Sequence, residues 1–408
     1  MSLSIFLLQL IIIIIASRLA GIAVKRIGQP VVMGEIIAGI ALGPSLFGHF
    51  FPAASDTIFP ASSLGNLQML SQVGLILFMF VIGMELDLKL IKNKVRSALI
   101  VSYASIIIPF AMGMALAWLL AGDFLPAGVP LYAFALFMGI AMSITAFPVL
   151  ARVIRERAMS HTRVGIISIT AAALNDVMGW CLLAFVIALS RAEGLHTPFY
   201  TLGGTLLYMA IMLFIVRPFL KRLAERKVNL TIIRQSTMAV IFIILLLSSL
   251  SCELLGIHAL FGAFMTGIVM PLQWNFRKLI IDKIEDVALV LLLPLFFVLT
   301  GLRTEIGLVN TSYLWSICIL ITLVAIAGKF GGSYFAARYA GETKADSLGI
   351  GILMNTRGLM ELIILNIGYD LGILSPQVFT MLVIMALATT LMTNPVLNLL
   401  NRFSKKVA

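Results

Sequence analysis

Apolar stretches long enough to cross a bilayer as helices recur along the whole 408-residue chain, and no other feature constrains the fold as much. A hydrocarbon core ~30 Å thick takes about 20 apolar residues in a helix. Thirteen such spans are read, at approximately 3 to 24, 31 to 48, 64 to 84, 97 to 121, 130 to 151, 163 to 190, 198 to 220, 233 to 254, 256 to 273, 284 to 302, 311 to 337, 346 to 369 and 375 to 400. The expectation is an all-α polytopic membrane protein with 13 transmembrane helices. Composition agrees: 61% of residues are hydrophobic and 12% charged, where a soluble domain carries about 25% charged residues. The first span has no base before it and Lys25 and Arg26 after it, the wrong polarity for a cleaved signal, so it reads as a retained span. Little chain lies outside the spans, and the function is expected within the membrane.

The net charge of +11 would suggest an anionic partner in a soluble chain. Its distribution gives a different reading. With the N-terminus outside, 24 of the 29 bases fall in segments on the cytoplasmic side, two (Arg191 and Arg303) on the external side, and three (Arg18, Lys329 and Arg357) within spans. This is the positive-inside asymmetry of a plasma-membrane protein with its C-terminus in the cytoplasm, and no nucleic-acid partner is needed to explain it. Cys181, Cys252 and Cys318 lie in spans without C-x-x-C spacing, and the four histidines lie at span ends. Neither a disulfide framework nor a metal enzyme is indicated.

The two halves of the chain share an order of motifs. Span two reads Gly34-Glu-Ile-Ile-Ala-Gly39-Ile-Ala-Leu-Gly-Pro44, and span nine reads Phe261-Gly-Ala-Phe-Met-Thr-Gly267-Ile-Val-Met-Pro271. Span three ends Gly83-Met-Glu-Leu-Asp87 and span ten ends Gly301-Leu-Arg-Thr-Glu305. The partners are seven spans apart, an odd number, so they cross in opposite senses. Spans one to six and eight to thirteen therefore form an inverted repeat about a linking seventh span, the architecture of many secondary transporters. Spans five and twelve pair in this scheme and are the most interrupted: Met142-Ser-Ile-Thr145-Ala-Phe-Pro148 in one, Met354-Asn-Thr-Arg357-Gly-Leu-Met-Glu361 in the other. Pro148 removes a backbone donor and Gly358 weakens the helix at equivalent depth. Crossed broken helices are expected there, with free carbonyls and helix ends near the midplane.

A charge at the centre of a span costs about 2.5–3.5 kcal/mol on insertion scales, so each embedded one marks a candidate site. Asp176 lies mid-span in Ala171-Ala-Ala-Leu-Asn175-Asp176, where a carboxylate can hold a proton or a bare alkali cation but not both. Asn175 offers a non-titrating amide beside it. Arg357 and Glu361 are four apart on one helix face and can neutralise each other. Lys329, in Ala327-Gly-Lys-Phe-Gly-Gly332, is read either as a counter-charge to an embedded acid or as a base snorkelling to the cytoplasmic surface. Glu35 is embedded less deeply.

Four stretches resemble the cation/proton antiporter superfamily, within it the plant cation/H+ exchangers and their bacterial relatives. They are Gly34 to Ser45, Ile144-Thr-Ala-Phe-Pro-Val-Leu-Ala-Arg152, Asn175-Asp176, and Met354 to Gly368. The resemblance implies a homodimer with a dimer-side domain of spans one to three and eight to ten (1-96 and 233-310). A moving core of spans four to six and eleven to thirteen (97-190 and 311-408) and a linker helix (191-232) complete it. It implies that Thr145 stands at the crossing, that Asp176 carries the ion and is the site for Na+ or K+, that Lys329 is the core lysine, and that Arg357 and Glu361 are the branch's charged pair. Electrogenic relatives carry two adjacent aspartates where this chain has Asn175-Asp176, which resembles the electroneutral members. Animal-type exchangers carry a hydroxyl where this chain has Ala172. The cytosolic regulatory domain of plant exchangers has no counterpart in these residues.

The expected function is electroneutral exchange of one Na+ or K+ for one H+, with no bound cofactor and a single titrating carboxylate. A sodium-coupled organic-solute symporter of similar architecture is the competing reading, and it would need more embedded polar groups than remain here. A membrane enzyme lacks any supporting nucleophile or metal-ligand motif.

Overall fold

A computed structural model describes residues 3–85, 95–190, 197–225, 233–255, 258–271 and 274–407. Asp87 of the span-three motif and the loop residues Lys89, Lys92, Lys94, Arg191, His196, Arg226 and Lys227 lie outside the described residues. What is described is helical, with no strand among those residues. Helices α1 (Leu3–Arg26), α2 (Val31–Leu42), α3 (Phe47–Phe50), α4 (Pro52–Ile58), α5 (Ala61–Glu85) and α6 (Val95–Phe124) come first. They are followed by α7 (Leu131–Ser143), α8 (Phe147–Glu156), α9 (Arg163–Ser190), α10 (Thr197–Ile211) and α11 (Arg217–Glu225). The second half holds α12 (Gln235–Leu254), α13 (Ala259–Val269), α14 (Trp274–Val287), α15 (Leu293–Leu302), α16 (Ser312–Ile326) and α17 (Gly332–Tyr339). It closes with α18 (Lys344–Met354), α19 (Leu359–Asp370) and α20 (Pro376–Val407). Three one-turn π segments, at Met212–Val216, Ala288–Leu292 and Ala327–Gly331, join α10 to α11, α14 to α15 and α16 to α17 without ending the rods.

Among the described residues, ten helices or continuous helical rods are long and apolar enough to cross a membrane. The predicted spans outside that set are five (α7 and α8), nine (α13) and twelve (α18 and α19), each short or interrupted. A hydropathy reading sums across a break without registering it. Large side chains such as Trp118, Phe214 and Leu254 stand more than 70% exposed on the outer surface, which water would penalise and hydrocarbon favours.

In span five the interruption is residues 144–146, and Pro148 falls in the first turn of α8. A proline in the first turn of a helix loses no intrahelical bond by lacking an N–H. In span twelve, Asn355 ends α18 and Gly358 precedes α19.

The chain divides into two compact units. One comprises Met1–Ile14, Thr57–Leu88 and Ile187–Leu299; the other comprises Ile15–Asp56, Lys89–Val186 and Thr300–Ala408. The second unit thus takes in span two, which the sequence grouping assigned to the dimer side. Part of the reason is local: Gln29 Nε2 donates to the Leu391 carbonyl (2.9 Å) and Asn394 Nδ2 to the Gly28 carbonyl (2.6 Å), tying the turn before α2 to α20.

Within each unit, glycines let helices touch at the backbone. A Cβ on Gly83 of α5 would stand 2.9 Å from the Gly267 Cα of α13, and one on Gly301 of α15 would stand 2.6 Å from the Gly39 carbonyl carbon of α2. A Cβ on Gly139 of α7 would stand 3.0 Å from both Cδ2 and O of Phe110 on α6. One on Gly351 of α18 would stand 3.0 Å from Cδ2 and 3.1 Å from O of Phe330.

Arg277 reads in the sequence as one more base of the cytoplasmic rim, yet it is buried in the first unit. Its guanidinium donates to the carbonyls of Met84 (2.6 Å), Met270 (2.7 Å) and Pro271 (2.9 Å). A cation there satisfies chain-end carbonyls where α5 and α13 finish.

Candidate functional site

The interruptions in spans five and twelve meet. Ala146 N–H donates to the Thr356 carbonyl (3.1 Å) and the Thr145 hydroxyl to the Met354 carbonyl (3.0 Å). Each break thus supplies partners for backbone groups that the other leaves free, which is how non-helical backbone survives at membrane depth. Thr145, Asn175, Asp176, Lys329, Arg357 and Glu361 all lie in the second unit, and each is at most 1% exposed.

Asn175 and Asp176, adjacent on α9, have opposite surroundings. The Asn175 amide is fully engaged: its Oδ1 accepts from the Ser102 hydroxyl (2.7 Å), and its Nδ2 donates to Ser105 Oγ (2.8 Å) and Thr145 Oγ1 (3.2 Å). Asp176 is fully buried, and neither carboxylate oxygen has a hydrogen-bond partner of good geometry. The groups acting on it electrostatically are the Phe147 backbone amide at the head of α8 and the Lys329 ammonium. The head of a helix favours an anion, so breaking span five turns its second half toward the carboxylate.

The first half of span five ends on cations. Arg357 donates to the carbonyls of Ala141 (2.9 Å) and Met142 (2.8 Å), and Lys329 Nζ donates to the carbonyl of Ser143 and to that of Ser105 (2.8 Å). The carbonyls of Ala141, Met142 and Ser143 are the last of α7, which have no partner within the helix and carry its negative dipole end. Arg357 also bonds Glu361 Oε1 (3.0 Å), the acid in the first turn of α19. Its own N–H donates to Thr390 Oγ1 (3.0 Å), whose hydroxyl returns a bond to the Arg357 carbonyl (2.8 Å).

Lys329 sits in the π turn, fully buried, on backbone carbonyls. It neither reaches the surface nor, among the described residues, forms an ion pair. Glu35 is buried in α2 of the same unit. Ser102, Ser105 and Thr390 escaped the sequence reading. The Ser-x-x-Ser spacing in the otherwise apolar span four was the available signal, since residues three apart share a helix face.

In sum, the site gathers one buried carboxylate with unpartnered oxygens, a pinned amide, and three further charges spent on backbone and on each other. Among the described residues no three His, Cys, Asp or Glu gather as a metal cluster. The Asp176 oxygens are hard donors of the kind alkali and other hard cations take.

Comparison with known proteins agrees with this architecture. The sequence profile of the family described as "Sodium/hydrogen exchanger, transmembrane" matches residues 11–399. The Na(+)/H(+) antiporter NhaS4 of Synechocystis sp. is 41% identical over 395 residues, 97% of this chain and 96% of that one. Cation/H(+) antiporter 17 of Arabidopsis thaliana is 38% identical over 97% of this chain and 48% of its own length. K(+)/H(+) antiporter 1 of Saccharomyces cerevisiae is 32% identical over 97% and 46%. The chain thus spans about half the length of these plant and yeast relatives. Among solved structures, the sodium proton antiporter MjNhaP1 of Methanocaldococcus jannaschii at pH 8 superposes with a TM-score of 0.68 at 14% identity, covering 94% of each chain.

Proposed function

Since the chain belongs to the sodium/hydrogen exchanger family, whose members are secondary transporters and not enzymes, we propose that it exchanges Na+ or K+ for H+ across the plasma membrane, with Asp176 as the carrier. The observation that supports this most directly is the pair of unpartnered oxygens on a fully buried Asp176. An isolated charge cannot persist in such surroundings, so the carboxylate is neutral when protonated and compensated when a bare cation sits on it. The two occupancies exclude one another. Turnover alternates them, and coupling follows without any second titrating group.

The other embedded charges have structural partners. Arg357 is shared between Glu361 and the end of α7, and Lys329 is held on the carbonyls of Ser105 and Ser143. They fix the broken helix on which the carrier depends and stay charged through the cycle. One proton then exchanges for one cation with no net charge moved.

The helices support an inverted repeat of thirteen crossings, spans one to six against eight to thirteen. Span three touches span nine through Gly83 and Gly267, and span ten touches span two through Gly301 and Gly39, which are equivalent contacts if two matches nine and three matches ten. On this reading the core, 97-190 and 311-408, moves elevator-like against the dimer-side domain, 1-96 and 233-310, of a homodimer. The N-terminus is outside and the C-terminus cytoplasmic. The names of the relatives span Na+ and K+, and both ions are kept as substrates.

Replacing Asp176 with Asn removes the titrating charge at nearly constant volume. In proteoliposomes reporting internal pH, Asp176→Asn should lose Na+- and K+-driven proton movement while eluting as the wild type does on size exclusion. Exchange retained by this variant would refute the assignment of the carrier.

A further inference from the structure

Behind the interruption of span twelve lies a cavity of about 180 Å3. Its walls are Phe330, Ile352, Met392 and Val396, with Asn355 and Thr393 as polar groups. Asn355 is 3% exposed and its Oδ1 has no hydrogen-bond partner, while Thr393 gives its hydroxyl proton to the Thr389 carbonyl (3.1 Å) and keeps lone pairs free. Phe330, Met392 and Val396 are only half-buried, which leaves a mouth to one side.

Size and lining select the occupant. Filling the space with water would take about six molecules at ~30 Å3 each, every one wanting two to four polar partners, and the walls supply two polar side chains. An apolar cavity of about 150 Å3 stays dry and holds benzene, so this one has room for a ring with a short substituent. The unmatched amide asks that substituent to be polar. A hydroxyl, both donor and acceptor, suits an amide whichever way it is turned, whereas an ionised group would find no counter-charge on these walls.

We infer that this cavity is a binding site for a small uncharged aromatic alcohol. Its occupant touches the break itself, because Asn355 is followed directly by Thr356, whose carbonyl takes the Ala146 N–H. A ring held on Asn355 fixes the join of the two interruptions and slows exchange, a consequence that rests on the antiporter reading.

The test uses the purified full chain with benzyl alcohol as probe and toluene as its mate without the hydroxyl. Benzyl alcohol should raise the wild-type unfolding midpoint by about 2–4 °C over toluene. Val396→Phe, which puts a ring of the protein's own at the wall of the space and narrows it, should lose the response to both, and Asn355→Leu should respond to the two alike. Equal shifts in wild type and Val396→Phe, or toluene matching benzyl alcohol on the wild type, would overturn the site. In proteoliposomes, benzyl alcohol should slow wild-type exchange at least about twofold and leave Val396→Phe unaffected; binding without that slowing would overturn the link to transport. Absence of exchange from both proteins even without the probe would count against the antiporter reading alone, the unfolding midpoints still deciding the site.

Discussion

At the scale of single residues, the four embedded charges have unequal obligations, and this sets the order in which their loss should be felt. Arg357 serves three acceptors, the Ala141 and Met142 carbonyls and the Glu361 carboxylate. Arg357→Met leaves a buried carboxylate uncompensated and two helix-end carbonyls bare, a loss of about 3–5 kcal/mol for the broken pair alone. Glu361→Gln keeps Arg357 on both carbonyls and offers it an amide oxygen in place of the carboxylate. Its cost should be under half that of Arg357→Met when thermal unfolding midpoints of the purified variants are compared, and equal losses would show that the carbonyl contacts contribute nothing. The charged members of this group stand out in the sequence because an acid or base within a span is costly and therefore rare. Ser102 and Ser105 do not: a serine in an apolar helix is cheap, so its presence says little until the fold sets it beside Asn175. The partners of Lys329 are backbone carbonyls, and no residue letter encodes those.

At the scale of helices, hydropathy locates the rods and misses how they are cut. Hydropathy alone gives spans five and twelve as continuous stretches; Pro148 and Gly358 mark them as broken, but the exact ends of their halves follow from Ala146 and Thr145 bonding across to Thr356 and Met354. Those are long-range pairings that a local pattern does not contain. Pro148 is the nearest sequence signal, and it marks the start of α8, two residues beyond the gap. A repeat makes a sharper demand on helix pairs. If spans four and five match eleven and twelve, then Gly139 against Phe110 and Gly351 against Phe330 are the same contact made twice: each meets the Cδ2 and O of its phenylalanine at 3.0–3.1 Å, although Gly139 also meets Met114 Cγ at 3.0 Å. Gly139→Val and Gly351→Val should therefore destabilise to the same degree, by about 1–3 kcal/mol for overpacking a filled interface. Gly65 in α5 has nothing within 4 Å of where a Cβ would lie, so Gly65→Ala should be neutral or stabilising by up to about 1 kcal/mol. Unequal losses at Gly139 and Gly351, read from unfolding midpoints of detergent-solubilised protein, would argue against the equivalence.

At the scale of the whole molecule, the question is how much charge one turnover carries. Of the embedded groups, Asp176 alone has both carboxylate oxygens unpartnered; Arg357, Glu361 and Lys329 hold one another or helix ends. If these last three keep their charge throughout, the loaded core carries the same total whether Asp176 holds a proton or a monovalent cation, and the membrane potential does no work on the cycle. The contrary case is a Lys329 that gives up its proton when the cation binds. Two protons would then oppose one cation, and one net charge would cross per turnover, worth about 2.3 kcal/mol per 100 mV, or about fiftyfold in a gradient. The pH difference at which proton flux reverses separates the two. Against about a tenfold cation gradient, one-for-one exchange reverses at about one pH unit and holds that value when about 100 mV is imposed. Two-for-one exchange reverses at about half a unit and moves by about 0.8 unit under the same voltage. The arrangement of charges around Asp176 predicts the first outcome in K+-free proteoliposomes whose potential is set by a gradient of a permeant anion and which are assayed with Na+ as the sole transported cation. A reversal point that follows the voltage would mean that Lys329 titrates, and that its hold on the Ser105 and Ser143 carbonyls is broken and remade in every cycle.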